Sequence, residues 1–151
     1  MKLRDFVTKN FDLLEIIFLL LFFISIFFLL KEFQNTKYII LSSSCLLVVL
    51  YWFKVTEKFN FDSKISLISY KLLWYSYFFL PIAFYFKLTL DKNSNYICII
   101  IFLLSIVSLC LTFYDFFKNK VKIQFNHIIR LVISIITTFI IFSLPLPKNI
   151  V

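Results

Sequence analysis

The sequence predicts an all-α polytopic transmembrane bundle, on three observations. Of its 151 residues 62% are hydrophobic, its mean hydropathy is +0.95, and its apolar residues fall into five long runs. Soluble domains average about 45–50% apolar residues, and a hydrocarbon core about 30 Å thick takes roughly 17 to 25 apolar residues in a helix. Leu13 to Leu30, Tyr38 to Phe53, Ile65 to Leu90, Tyr96 to Phe117 and Ile128 to Leu146 meet or approach that length. The second and fifth are the shortest, so the alternative architecture is four spans plus one interfacial or re-entrant helix. Charged residues gather in short pieces between the runs, and the expectation is one integral membrane domain over 1–151 with no separate soluble module.

Ahead of the first run, Leu3, Phe6, Val7 and Phe11 recur at helical spacing among Lys2, Arg4 and Lys9, the pattern of a short helix lying in the headgroup layer. A basic start before an apolar run also outlines a signal sequence. The only Ala in the chain is Ala83, so an A-x-A cleavage site is excluded and the first span is expected to stay as an uncleaved anchor. One turn inside that span stands Glu15. Asp12 and Glu15 have the spacing of a capping box, with Phe11 and Ile16 as its staple, and carboxylates are favoured at a positive helix end. Capping is therefore the first reading of Glu15, and a working intramembrane carboxylate the second.

In the third run Lys71 and Lys87 are sixteen residues apart, about 24 Å at 1.5 Å per residue, so both are expected to snorkel towards opposite headgroup layers. Lys71 shares a face with Trp74, Phe78 and Tyr85, which is expected to look at lipid. The opposite stripe, Ser69, Ser76 and Ala83, has the seven-residue spacing of a close-packing seam. Pro81 is expected to loosen the helix locally. Ser105, Ser108 and Thr112 make a polar stripe on the fourth run. Arg130, Ser134, Thr137 and Thr138 make another on the fifth, expected to face the bundle interior because charge in lipid is costly. Two readings compete for Arg130: a headgroup anchor, ranked first because it needs no tertiary assumption, and an ion pair with Glu15.

Several chemistries lose their signatures. Gly is absent, which removes phosphate-cradling loops, dinucleotide turns, nucleophile elbows and GxxxG contacts. His127 is the only imidazole and reads as an interfacial polar residue without metal-ligand partners. Cys45, Cys98 and Cys110 lack C-x-x-C spacing and read as small buried hydrophobes. No cofactor or metal is expected. Tyr38, Tyr51, Trp52, Tyr70, Trp74, Tyr96 and Tyr114 stand near span ends, as an aromatic belt requires.

Lys and Arg set the expected orientation. Nine of them (Lys2, Arg4, Lys9, Lys54, Lys58, Lys64, Lys118, Lys120, Lys122) fall on one side of a five-span scheme and five (Lys31, Lys37, Lys87, Lys92, Lys148) on the other. The positive-inside rule places the amino terminus in the cytoplasm and the carboxyl terminus outside a plasma or inner membrane. The net charge of +8 suits anionic lipid headgroups; no basic segment makes a surface for nucleic acid. At a constant offset of 64, Phe53, Lys54, Lys58, Phe61, Ile65 and Leu67 match residues of the later stretch Phe117 to Leu131, which reads either as a decayed duplication or as convergence of two basic loops.

Three functions compete. A non-catalytic accessory subunit or interaction protein leads, partnered by membrane lipids and by another membrane protein or by its own copies, on the missing catalytic signatures and the Ser/Thr seams. Small polytopic immunity proteins against pore-forming bacteriocins are similar in composition: short, basic, aromatic-rich and almost without soluble loops. The alternative is a small transporter or channel using Arg130, Ser134, Thr137, Thr138, Glu15 and Pro81. A lipid-acting membrane enzyme is third, since it has only Asp115, Asn126, His127 and Arg130 to draw on.

Overall fold

The computed structural model describes residues 3–30, 36–57, 61, 63–88, 94–119 and 125–143. They form an all-α bundle: α1 (Leu3–Lys9), α2 (Phe11–Leu30), α3 (Thr36–Thr56), α4 (Lys64–Leu88), α5 (Ser94–Asn119) and α6 (Phe125–Ser143). Among the described residues five helices, α2 to α6, are long and apolar enough to cross a membrane, one for each of the five runs. The ends of the expected spans at 89–90 and 144–146 lie outside the described residues, as do seven of the fourteen basic positions used for the orientation.

Apolar and aromatic side chains cover the outside of every long helix: Leu20 and Phe23 of α2, Val49 of α3, Leu103 of α5 and Phe139 of α6 are all exposed on the bundle surface. In water such a surface would be untenable; in lipid it is the solvated face. Inside, α4 is the hub. It packs against α3, α5 and α6, with its largest interface against α5, while α2 packs against α3 and α1. Being surrounded, α4 buries both of its faces: Ser69, Ser76 and Ala83 on one, and Leu73, Trp74 and Tyr77 as well. Ser69, Ser76 and Ala83 are each at most 1% exposed, and the expectation that Trp74 looks at lipid is corrected. Pro81 is buried within α4 without ending it.

Two further expectations change at the start of the chain. Asn10 is a single turn residue between α1 and α2, and the ladder runs on through it, with the Asn10 N–H on the Phe6 carbonyl at 3.1 Å and the Leu14 N–H on the Asn10 carbonyl at 2.9 Å. Helix α2 therefore begins at Phe11, before Asp12 can act as its N-cap. Ile16 is exposed while Phe11 is buried, so the hydrophobic staple does not form. Helix α1 packs against α3 and α2 and buries Val7. Of the cysteines only Cys98 is buried; Cys45 and Cys110 are exposed and all three are free. In the offset-64 pairs, Leu131 is fully buried where Leu67 is half-buried, and the match at Lys58 lies outside the described residues.

Candidate functional site

The polar stripes of α4, α5 and α6 converge on one seam. At its first level the Ser69 hydroxyl reaches Thr112 Oγ1 at 2.7 Å, Ser108 Oγ at 3.0 Å and His127 Nε2 at 3.2 Å. The Ser108 hydroxyl donates back to the Ser69 carbonyl at 2.7 Å. Two turns along α4 and α6, Ser105 Oγ meets Ser134 Oγ at 3.0 Å, and the Ser134 hydroxyl donates to Ser76 Oγ at 3.2 Å. The Thr138 hydroxyl donates to the Ser134 carbonyl at 2.7 Å. Ser69, Ser76, Ser105, Ser108 and Ser134 are all essentially inaccessible. Small side chains let the three backbones approach, and the hydroxyls then find partners on the neighbouring helix because lipid offers none. Thr137, the remaining member of the expected stripe, sits on the half-buried edge of α6.

Each end of this seam is closed by a buried ion set against a helix terminus. At the start of α4, Ser63 and Ser66 donate their hydroxyls to Asp115 of α5, the first at 2.9 Å, and Ser63 Oγ in turn accepts the Ile65 N–H at 3.0 Å. A carboxylate from α5 thereby completes the cap of α4 at its positive end. At the other end Lys87, 5% exposed, donates to Asn95 Oδ1 at 3.2 Å and to the Phe142 carbonyl at 3.1 Å. It neutralises the last turn of α6. Lys87 therefore turns into the bundle, against the expectation that it snorkels outward. Between Lys87 and the Ser134 cluster the buried residues of the three helices include Leu80, Pro81, Ala83, Cys98, Ile101 and Ile141, with Ser94 at the start of α5, a largely apolar plug.

A second constellation lies beside the Ser69 level. Glu15 of α2 and Arg130 of α6 form a bidentate pair at 2.8 and 2.9 Å, although among the described residues the backbones of α2 and α6 do not pack against each other. The Arg130 guanidinium crosses that gap over the face of Trp74 at 4.9 Å and near the Tyr77 ring at 6.0 Å. Tyr77 donates its hydroxyl to the Arg130 carbonyl at 3.0 Å. Tyr51 of α3 closes the back, its ring 5.4 Å from Tyr77 and 5.9 Å from Trp74. Of the two readings of Arg130 it is the ion pair that the geometry contains, and Glu15, with 8% of its side chain exposed, serves this pair in place of a capping box. Tyr51 and Trp74, expected in an interfacial belt, are buried cage walls; Trp52, Tyr38, Tyr96 and Tyr114 are exposed.

Between the cage and the seam opens a cavity of about 200 Å³, lined by Phe11, Asp12, Lys54, Tyr70, Leu73, Trp74, Asn126, His127 and Arg130. Asp12 and Asn126 are exposed at its rim. Lys54 lies over the Phe11 ring at 4.6 Å and pairs with Glu57 at 2.8 Å. His127 is buried against its neighbours: it stacks on Tyr70 with ring centroids 5.9 Å apart, gives one nitrogen to Ser69 and leaves Nδ1 buried with no partner among the described residues. A buried polar atom on a polar cavity is an ordinary place for ordered water. Of the four residues considered for a lipid-acting enzyme, Asn126, His127 and Arg130 share this cavity, while Asp115 is engaged at the α4 cap. No three His, Cys, Asp or Glu side chains converge among the described residues. The aromatic walls and the Asp115 and Lys87 caps escaped sequence reasoning, because their partners lie far along the chain or on other helices.

No protein-family model matches the chain, and no curated protein or solved structure shows significant similarity to it.

Proposed function

We propose that the protein is a small transporter or channel whose path enters at the cavity and follows the α4–α5–α6 seam. One observation carries this reading: the buried Ser/Thr/His network is joined to the cavity directly, through His127, which lines the cavity and contacts Ser69. Polar groups are expensive in a bilayer and concentrate where something polar must pass. The path is closed in this conformation. Opening it requires α6 to part from α4 and α5 at the level of Ala83, Cys98, Ile101 and Ile141. By the distribution of Lys and Arg, the Asp115 end with its cavity faces the cytoplasm. That orientation is checked by labelling single engineered cysteines at the two termini from either side of intact cells, after Cys45, Cys98 and Cys110 are changed to Ser or Ala.

Purified protein reconstituted in liposomes should carry a flux of protons or small polar solutes above that of empty vesicles. Ser105→Ala with Ser134→Ala should reduce it several-fold while leaving the helical content unchanged. The second reading is an accessory subunit, favoured by the way hydroxyls bond directly from helix to helix, which also suits plain packing. Absence of flux for every solute tried, together with a stoichiometric partner in mild-detergent purification, would replace the first reading by the second.

A further inference from the structure

The cage around Arg130 has the recognition chemistry of a ligand site. Its Glu15 carboxylate offers two oxygens in a plane, met by the two terminal nitrogens of a guanidinium at 2.8 and 2.9 Å, the geometry that selects planar, delocalised cations. Trp74 presents its face 4.9 Å from the guanidinium carbon, with Tyr77 at 6.0 Å, and such faces attract cations most strongly where water is excluded. Glu15 and Trp74 are buried in the body of the bundle, whereas the Arg130 side chain is 29% exposed. The occupant is thus the more accessible partner, and the receptor is the more deeply buried one. Arg130 and Trp74 also line the 200 Å³ cavity, whose buried His127 Nδ1, without a partner among the described residues, is a further polar contact for something that enters there. Since among the described residues α2 and α6 do not pack backbone to backbone, withdrawal of Arg130 breaks the ion pair without breaking a helix interface.

We propose that the Glu15, Trp74 and Tyr77 cage is a binding site for a planar organic cation of the guanidinium or amidinium class, filled in this conformation by Arg130 as a tethered occupant. This rests on the reading of the cavity as the entrance to a path, and names the cargo class for it. A tethered group competes at an effective concentration in the mM range. A free cation therefore binds the intact protein weakly, and binds much more tightly once the tether is gone.

The test uses the full chain in nanodiscs carrying Trp52→Phe, which leaves Trp74 as the only indole. Methylguanidinium is titrated against indole fluorescence, with neutral N-methylurea as the shape control. The expected result is a saturable change with the cation alone, at least tenfold tighter in Arg130→Ala than in the parent, and lost in Glu15→Gln. Arg130→Met, which keeps the apolar stem, replaces the Ala variant if that one does not fold. An equal response to the urea, or no tightening on removal of the guanidinium, overturns the proposal. Binding is read here without transport, so a protein that binds the cation but moves nothing sinks only the transport reading. One that moves solutes without binding the cation sinks only this site.

Discussion

The two halves of the α4–α5–α6 seam solve the same packing problem with different materials. Towards Asp115, three helices meet through Ser69, Ser76, Ser105, Ser108, Thr112, His127, Ser134 and Thr138; towards Lys87 they meet through Ala83, Cys98, Ile101 and Ile141. Both halves are buried and both hold the helices close. The apolar half packs its helices largely without hydroxyls, so close packing by itself does not require the composition of the polar half. The same contrast separates α2 from the rest: among the described residues its polar contact with α3 is the weak one from Ser25 to Ser43 at 3.5 Å, and it meets α4 through rings such as Phe22 on Phe84 at 5.1 Å.

The comparison breaks most severely at the Glu15–Arg130 pair, the charged element beside the polar half. Removing either partner leaves a largely desolvated charge behind, and Arg130→Ala or Glu15→Ala should cost about 3–5 kcal/mol, read as a lowered midpoint of unfolding in detergent or bicelles. The charge-swapped double variant, Glu15→Arg with Arg130→Glu, should recover most of the accumulation lost by either single change. A swap no better than its parents would show that the pair's surroundings, not its attraction, hold α2 to α6.

In the apolar half the material is shape. Ile101 is fully buried, and Ile101→Ala should cost about 2–5 kcal/mol through lost contacts and a residual cavity. If that plug also closes the path, the same variant should leak in liposomes even as it loses stability. Asp115→Asn comes next. It keeps the shape but replaces an ionised acceptor of Ser63, Ser66 and Asn119 by an amide that must also donate. A loss of about 1–3 kcal/mol is expected, accompanied by faster amide exchange in the first turn of α4.

How much of this was legible in the sequence follows from the same physics. The spans were, because long, predominantly apolar runs need no knowledge of their neighbours. So were the inward stripes of α4, α5 and α6, since helical periodicity places Ser69 with Ser76 or Ser134 with Thr138 on one face. What periodicity cannot supply is azimuth relative to the bundle. It could not show that α4 lies at the centre and buries Trp74, nor that His127 meets Ser69. Ranking Glu15 as a capping residue failed for a related reason: a local motif was visible, while its competitor, an arginine 115 residues away, became visible only when α2 and α6 were placed around α4. Lys87 was misjudged because snorkelling assumes the nearest polar phase is outside. Here it is the end of α6.

The smallest expected effect bears most directly on the contrast between halves. A double-mutant cycle on Ser76→Ala and Ser134→Ala measures the coupling across their 3.2 Å contact. Side-chain hydrogen bonds between transmembrane helices average about 0.6 kcal/mol and reach about 1.7, so the coupling should fall near the lower figure. At that size this contact adds little to the hold between α4 and α6, the outcome expected if the proposed path runs along the seam. A coupling above about 2 kcal/mol would make the hydroxyls the principal bond between α4 and α6, and the polar half would then be a fastening.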